Sequence, residues 1–348
     1  MRVSIIGATG YTGAELLRLL AHHSEAQIKF ITSESQTGED ICAIYPHLSG
    51  LYQNLTKLSS LKNLETIAVE SDVVFIALPH GHAMDAAQKL LVFNNKIKVI
   101  DLGADYRFQD ETVYEKWYKL PHTHKKAGAV YGLCELNREQ IKSAAIVANP
   151  GCYPTASILA LAPLVKRRLV ELDTIIVDAK SGVSGAGRAL NLTSHFSEVY
   201  ESVKPYGIAT HRHTPEIEQG LSLAAGEDLV INFTPHLMPM TRGILSTCYA
   251  KTKPGVTAAD LDEAFSGDYA NEYFIRLLGR GGHPATKNTR GSNFCDLGWH
   301  FDPRTGRAIV VSAIDNVVKG ASGQAVQNMN ILFGIEEKTA LQQAPLYP

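Results

Sequence analysis

The sequence has little net charge, no long apolar run and no basic leader. Its 33 lysines and arginines nearly balance its 35 aspartates and glutamates, for a formal net charge of −2. We therefore expect neither nucleic acid nor a membrane as a partner. No stretch approaches the ~18 consecutive apolar residues of a membrane span. The N-terminal MRVSIIGATG enters a strand-like run at once, so we expect no export signal.

Cysteine is scarce and scattered. Five cysteines occur, without a Cys-x-x-Cys pair, at positions 42, 134, 152, 248 and 295. An odd and dispersed set argues against a disulfide framework and against a thiolate zinc site. It fits a reducing compartment, so we expect a cytoplasmic protein.

The patterning of apolar residues predicts two domains of different architecture. Up to about residue 150, apolar strand-like runs alternate with helical patterns, which is typical of a parallel sheet covered on both faces. From about residue 173, strand-like runs follow one another with few helices between them, which predicts a mixed or antiparallel sheet. The segment 321–334 reads as an amphipathic helix. A chain of 348 residues is consistent with two domains.

Three glycines separate the first strand from the first helix in GATGYTGAELLRLL. Glycine permits a tight turn and lets the backbone approach a pyrophosphate at the helix N-terminus. The alternative is a structural turn without a ligand, because the Gly-x-x-Gly-x-x-Gly spacing departs from the common Gly-x-Gly-x-x-Gly. The cofactor-binding residues expected in this loop are Gly7, Thr9, Gly10, Tyr11, Thr12 and Gly13.

The second strand ends in TSESQTG, where the ribose of a dinucleotide is expected. The hydroxyls of Ser33 and Ser35 are suited to a 2′-phosphate, which favours NADP. The carboxylate of Glu34 is suited to a free 2′-hydroxyl, which favours NAD. Residue chemistry alone leaves the choice open.

Cys152 lies in ANPGCYPTA, between an apolar strand and a helical pattern. A helix N-terminus stabilises a thiolate, and its free N–H groups can bind a developing oxyanion. We therefore predict that Cys152 is a nucleophile; the alternative is a buried structural cysteine.

A cysteine nucleophile needs a base, and ATHRHTPEIEQ offers His211 and His213. Glu216 follows His213 by three residues at a helix start and is expected to orient its imidazole. His-x-His with a carboxylate can also bind zinc, but no third histidine lies near, so we expect no metal. Surface histidines are a further alternative. Gln219 completes this set as a candidate substrate contact.

Two further stretches are suited to anions. The glycine-rich SGVSGAGR, which begins at Ser181 and Gly182, allows close approach of a cofactor. DLGADYRF ends a predicted parallel strand, at the edge where α/β sheets bind ligands. Its Arg107 offers a planar fork for phosphate or carboxylate.

The chain resembles the N-acetyl-γ-glutamyl-phosphate reductases, which are relatives of aspartate-semialdehyde dehydrogenase. The motifs that carry the resemblance occur in family order from end to end: GATGYTGAELLRLL, DLGADYRF, VYGLCELNRE, VANPGCYPTA, SGVSGAGR, HRHTPEIEQ, PHLMPMTRGIL and DNVVKGASGQAVQNMN. It implies an α/β fold: a Rossmann-type dinucleotide-binding domain (1–148 and 314–348) with an inserted α+β catalytic and oligomerisation domain (149–313).

The resemblance also implies roles for single residues. Cys152 would be the nucleophile, His213 the acid/base and Arg107 a phosphate contact, with Asn149 and His211 among the substrate-binding residues. Asn316 would meet the nicotinamide amide. The family usually uses NADPH, although many members have arginine in the place of Glu34.

The implied reaction is NADPH-dependent reduction of N-acetyl-γ-glutamyl phosphate to the semialdehyde and phosphate through a cysteine thioester, in arginine biosynthesis. A homo-oligomer, dimer or tetramer, is expected. One alternative is a related reductase of aspartyl or aminoadipyl phosphate. The other, of a different class, is a non-catalytic dinucleotide-binding module.

Overall fold

The computed structural model describes residues 1–52, 57–124 and 128–347. Its strands are β1 (Arg2–Ile6), β2 (Gln27–Thr32), β3 (Val73–Ile76), β4 (Lys98–Asp101), β5 (Ala129–Tyr131), β6 (Ile146–Ala148), β7 (Ile176–Ser181), β8 (Lys204–Pro205), β9 (Asn232–Leu237), β10 (Ile244–Lys251), β11 (Ile275–Arg280), β12 (Cys295–Asp302) and β13 (Arg307–Ile314). Its helices are α1 (Tyr11–Leu20), α2 (Ile41–Ile44), α3 (Leu64–Glu70), α4 (Ala83–Phe93), α5 (Glu111–Tyr118), α6 (Cys134–Ser143), α7 (Cys152–Lys166), α8 (Phe196–Val199), α9 (Thr214–Ala225), α10 (Ala258–Tyr269) and α11 (Gly323–Leu332).

The first compact unit comprises Met1–Pro150 and Ala321–Gln342. Its six strands are all parallel, in the order β2-β1-β3-β4-β6-β5. Strands β3 and β6 are buried along their whole length, as expected of a sheet with helices on both faces. The chain leaves β1 for β2 on one side and returns for β3 on the other. The loop after β1 therefore lies at the point where such sheets bind nucleotides.

Helix α11 is buried on every side within the first unit. The prediction of an amphipathic helix over 321–334 was therefore wrong. Its polar side chains are not on a solvent face but form internal hydrogen bonds: Gln324 and Asn328 both donate to the Gly132 carbonyl, at 2.9 and 2.8 Å. Buried amides of this kind are tolerated because they have partners.

The second compact unit comprises Gly151–Gly320 and Gln343–Pro348. Its seven-stranded sheet has the order β11-β12-β13-β10-β7-β9-β8, with both parallel and antiparallel pairs, so the predicted mixed sheet is confirmed. Helix α7 packs on one face, where the Ser157 and Ser246 hydroxyls lie 3.1 Å apart and Ser312 donates to the Ala156 carbonyl. The sequence did not reveal β8, β12 or α10, whereas the helix start expected after His213 is that of α9.

The chain passes between the two compact units at residues slightly later than the sequence predicted. The chain crosses from the first unit to the second after Pro150, returns after Gly320 and crosses again after Gln342. The sequence placed the first two divisions after 148 and 313 and assigned all of 314–348 to the first domain; those domain bounds stay a prediction.

Candidate active site

Cys152 is the first residue of helix α7, as the sequence predicted, and its side chain is half-buried. The N-cap is Gly151, which has no side chain to occupy the N–H groups of the first turn. Neighbouring groups approach too closely for any other residue here. A Cβ on Gly151 would lie 2.5 Å from His213 Nε2, and a Cβ on Gly320 would lie 2.7 Å from the Cys152 Cβ. The thiol therefore begins a helix in a tightly packed turn, and the His213 imidazole lies against Gly151, the residue before it.

The Glu216 carboxylate binds the backbone of this turn. The carboxylate is fully buried and its Oε1 accepts the Gly151 backbone N–H at 2.8 Å. Helix α9, which carries Glu216 in its first turn, packs closely on α7: a Cβ on Gly220 would lie 2.4 Å from Ile158 Cδ1. Glu216 was expected to orient His213; the bond seen here is to the turn that carries Cys152. Gln219 lies half-buried on the same helix.

His211 has a different environment from His213. Its Nδ1 accepts the His213 backbone N–H at 3.0 Å, which leaves the proton of the neutral ring on Nε2. The ring packs edge-on against Tyr153, Tyr206 and Phe233. Burial, and then the Arg212 charge, lowers the pKa of His211 to about 4. His211 is therefore neutral at pH 7 and supports the segment on which His213 lies.

Two tyrosines lie beside the thiol, and the sequence reasoning missed both. The hydroxyls of Tyr153 and Tyr206 are 3.0 Å apart. Burial raises the pKa of Tyr206 to about 12 and that of Tyr153 further, and the charge of Cys152 contributes to both increases. Both hydroxyls therefore remain protonated donors at neutral pH. Tyr153 follows Cys152 in the chain, but nothing in the local sequence marks Tyr206, which the fold brings in.

Ser181, Gly182 and Asn316 come together in the second unit, as a shared cofactor role requires. Gly182 must be glycine, since a Cβ would lie 2.7 Å from the Thr241 carbonyl oxygen. Asn316 Oδ1 accepts the Gly243 N–H at 2.7 Å, and Asn316 Nδ2 donates to Ser184 Oγ at 2.9 Å. These bonds fix the Asn316 amide within the glycine-rich turn.

In the first unit, Asn149 and Arg107 form one buried arrangement. Arg107 Nε donates to the Asn149 carbonyl at 2.8 Å and its Nη2 donates to the Leu102 carbonyl at 3.0 Å. Asn149 Nδ2 donates to the Ala321 carbonyl, and Asn149 Oδ1 accepts from Asn328 Nδ2. The Arg107 side chain is 5% exposed, so its observed contacts anchor the strand end three residues before Cys152.

Asp101 lies at the end of β4 in the same interior. Its Oδ1 accepts the Gly103 N–H at 2.8 Å, while Oδ2 is buried and has no hydrogen-bond partner among the described residues. Burial, with a contribution from Asp105, raises the pKa of Asp101 to about 7. A carboxyl that is hard to ionise in the folded state imposes a pH-dependent cost on folding.

Replacement of Asp101 by asparagine should change how stability depends on pH. In the unfolded chain Asp101 ionises near its ordinary pKa of ~3.9, whereas the folded protein retains the proton up to about pH 7. Wild-type stability should therefore fall between pH 4 and pH 7, relative to Asp101→Asn, by on the order of a few kcal/mol. Urea unfolding of both proteins at pH 4.5, 6 and 8 measures this; a constant difference between them would contradict it.

The glycine loop of the first unit fits a dinucleotide pyrophosphate. Gly7 has φ +87°, and a Cβ there would lie 2.4 Å from the Ala77 carbonyl oxygen; a Cβ on Gly13 would lie 2.6 Å from Ala8. Gly10 is the N-cap of α1 and has open space beside it. Tyr11 and Thr12 form the first turn of α1, whose N–H groups favour an anion.

A cluster of hydroxyls lies beside this loop, where the sequence predicts the ribose. Thr9 Oγ1 lies 3.1 Å from Ser33 Oγ, and Ser33 Oγ lies 3.5 Å from Ser35 Oγ. The Glu34 carboxylate is used elsewhere: its Oε1 accepts from Ser60 Oγ at 3.1 Å and from the Leu61 backbone N–H. Glu34, which left the choice between NADP and NAD open, is thus bound to the turn that carries Ser60 and Leu61.

In the described part of the chain, no group of three or more His, Cys, Asp or Glu side chains is arranged to hold a metal ion. Among the same residues, no helix is long and apolar enough to cross a membrane.

Comparison with protein families gives two matches that together cover most of the chain. Residues 2–144 match the semialdehyde dehydrogenase NAD-binding domain, and residues 152–316 match the semialdehyde dehydrogenase dimerisation domain. The predictions of a nicotinamide dinucleotide cofactor and of a Rossmann-type domain with an inserted α+β domain are thereby confirmed.

Solved structures share this fold at low sequence identity. Aspartate semialdehyde dehydrogenase II of Vibrio cholerae, complexed with ASA, has a TM-score of 0.70 at 17% identity over 96% of this chain and 98% of that one. Aspartate semialdehyde dehydrogenase of Candida albicans, solved with NADP, has a TM-score of 0.67 at 16% identity over 95% of this chain and 98% of that one. At such identities the likeness concerns the fold.

Curated relatives are much more similar. N-acetyl-gamma-glutamyl-phosphate reductase of Pelotomaculum thermopropionicum is 55% identical over 100% of this chain and 99% of its own. The proteins of that name from Desulforamulus reducens and Symbiobacterium thermophilum are 51% and 53% identical, again over all of this chain and 99% or more of their own. The chain therefore belongs to the N-acetyl-γ-glutamyl-phosphate reductases, oxidoreductases of the semialdehyde dehydrogenase family.

Proposed function

We propose that this chain reduces N-acetyl-γ-glutamyl phosphate to N-acetylglutamate 5-semialdehyde and phosphate with NADPH, as a step in arginine biosynthesis. One observation carries the proposal: Cys152 begins helix α7 in a turn where the His213 imidazole lies against Gly151. A thiol so placed has the two features that covalent acyl transfer needs, a helix N-terminus and a neighbouring base.

In the first half of the reaction, His213 takes the thiol proton and the Cys152 sulfur attacks the acyl carbon. The C–S bond forms, the bond from carbon to the phosphate oxygen breaks, and phosphate leaves. The N–H groups of the first turn of α7 are placed to bind the oxyanion of the tetrahedral species. Glu216 keeps Gly151, and hence this turn, in position.

The thioester that remains on Cys152 is a better electrophile than a carboxylate. NADPH, when bound, supplies the hydride that reduces its carbonyl carbon. Protonated His213 stabilises the resulting alkoxide as a proton donor. Collapse then breaks the C–S bond, releases the aldehyde and restores the thiol.

The hydroxyl cluster favours NADPH over NADH. Thr9, Ser33 and Ser35 present neutral donors at the ribose end, while Ser60 and Leu61 bind the Glu34 carboxylate. We expect kcat/KM to be at least ~10-fold higher for NADPH, a difference of about 1.4 kcal/mol in transition-state binding, and Ser33→Ala to reduce that ratio. Glu34→Gln is the matched control and should leave the ratio near that of wild type. A preference of wild type for NADH would overturn the assignment.

The reverse reaction provides the direct test of function. N-acetylglutamate semialdehyde, phosphate and NADP should give absorbance at 340 nm, with aspartate semialdehyde and an aminoadipate semialdehyde as competing substrates. Faster turnover of either competitor would assign the chain to the sister reaction. Absence of turnover with all three would favour a dinucleotide-binding module.

We also propose a cytoplasmic homo-oligomer, dimer or tetramer. The five cysteines are all unbridged thiols, as in a reducing compartment. The face of the second sheet opposite α7 is half-exposed and partly apolar, with Leu245, Thr247, Tyr249, Ile309 and Val311 along it. Such a face is suited to sheet-to-sheet packing between copies.

A further inference from the structure

A segment between β7 and α9 carries apolar side chains on its outside. We call residues 188–208 the arm. Besides Tyr206, six large apolar residues of the arm are exposed at 57% of their surface or more, and two of them are aromatic: Leu190, Leu192, Phe196, Tyr200, Val203 and Ile208. Phe196 is 75% exposed and its ring stacks on that of Tyr200 at 5.1 Å. Val199 is the buried residue of α8 in this stretch.

Single exposed apolar residues are ordinary, but a contiguous set is not. The aromatic pair at the centre of the arm has the composition of an interface core. An aromatic side chain can bury ~150–250 Å². Two of these with four aliphatic neighbours supply a large part of the ~800 Å² per partner of a standard interface.

The chemistry of the arm fits a copy of itself. It lies within the region that matches the family's dimerisation domain. Its acidic and basic residues are equal in number, with Glu198 and Glu201 lying in the chain between Arg188 and Lys204. These residues therefore give the arm no net charge, so two copies can meet without a net repulsion between them.

The arm is continuous with the residues around the thiol. It ends in β8, which pairs with β9, and the Tyr206 N–H donates to the Pro235 carbonyl. The Tyr206 hydroxyl lies 3.0 Å from that of Tyr153, and His211 and His213 follow directly. A contact that restrains the arm would therefore also restrain the Tyr206–His213 segment, on which the proposed acid/base lies.

We infer that the arm docks against a second copy of this chain and that this contact holds the Tyr206–His213 segment in its active arrangement. The inference rests on the proposed homo-oligomer and goes beyond it. The inference adds a contact distinct from the half-exposed face of the second sheet. It also makes catalysis depend on assembly of the oligomer.

Phe196→Glu tests the contact, with Val230→Glu as a control in the same unit at a similar exposure of 71%. Light scattering after size exclusion should show the particle mass of Phe196→Glu reduced to half or less, with kcat at least ~10-fold lower. Val230→Glu should match wild type in both. An unchanged mass for Phe196→Glu, or separated protomers with full activity, would overturn the inference.

Hydrogen exchange on the wild-type protein avoids any folding defect of the variant. Amides of 190–203 should exchange ~10-fold faster when the protein is diluted below its dissociation constant, while amides of β10 and β13 should not. Concentration-independent exchange in the arm of an oligomeric protein counts against docking. A wild type that is monomeric yet reduces the acyl phosphate would remove the oligomer and the arm contact, and would leave the proposed reaction intact.

Discussion

We expect Cys152→Ser to abolish reduction of the acyl phosphate and to leave dinucleotide binding intact. A serine hydroxyl at the start of α7 remains protonated where a thiol ionises, so the covalent step fails. The glycine loop belongs to the other compact unit, so NADP(H) affinity should change by less than ~2-fold. Turnover in the reverse assay and NADPH fluorescence titration measure the two quantities.

Cys42→Ser is the matched control, because Cys42 is the other half-buried thiol. It should retain wild-type turnover. Iodoacetamide should label Cys152 faster than Cys42, and substrate should protect Cys152. Turnover retained by Cys152→Ser would exclude the thioester route, and equal labelling of the two thiols would argue against an activated sulfur.

We expect His213→Asn to lower kcat by ~100-fold or more, the usual size of general acid–base catalysis. The imidazole against Gly151 is lost, and the asparagine amide cannot take or return the proton. We expect the rate of Cys152 alkylation at neutral pH to fall as well, since the base that deprotonates the thiol is gone. A steady-state assay and the pH dependence of alkylation test both effects.

His211→Asn is the comparison that shows which of the two histidines is the acid/base. An asparagine oxygen can still accept the His213 N–H, as His211 Nδ1 does, so a loss below ~10-fold is expected. Because the pKa of His211 is about 4, this ring stays neutral above about pH 5 and should not shape the pH profile at neutral pH. A larger loss in His211→Asn than in His213→Asn would reverse the assignment.

The sequence predicted the features that depend on local chemistry. The glycine turn after β1 and the start of α7 at Cys152 follow from glycine, proline and apolar spacing, and both occur where expected. The parallel and mixed sheets follow from strand patterning. Of the roles given to Cys152 and His213, the position of His213 against Gly151 agrees with a base, while the chemistry itself stays a proposal.

Features that depend on long-range packing were out of reach. The bond from the buried Glu216 carboxylate to Gly151, 65 residues away, could not be predicted from the sequence, which paired Glu216 with its near neighbour His213; that pairing stays a prediction. The phosphate contact of Arg107 stays a prediction, and its bonds to the Asn149 and Leu102 carbonyls could not be predicted from the sequence. The bonds of Glu34 to Ser60 and Leu61 were likewise out of reach, because they join separate segments of the chain. The spacing of polar and apolar residues also misled for α11, because its buried amide side chains occupy the positions that solvent-exposed residues take in an amphipathic helix.

The position of α11 in the first compact unit bears on the order in which a newly made chain can fold. The Gly132 carbonyl and the Asn149 side chain have their partners Gln324 and Asn328 on α11, so the first unit stays incomplete on the ribosome until α11 has emerged. Residues 151–320 are synthesised before that helix and can form most of their sheet earlier. The N-terminal part of the first unit therefore depends on a helix translated about 170 residues later, and a chain that stops before residue 323 lacks the hydrogen-bond partners that α11 supplies to Gly132 and Asn149.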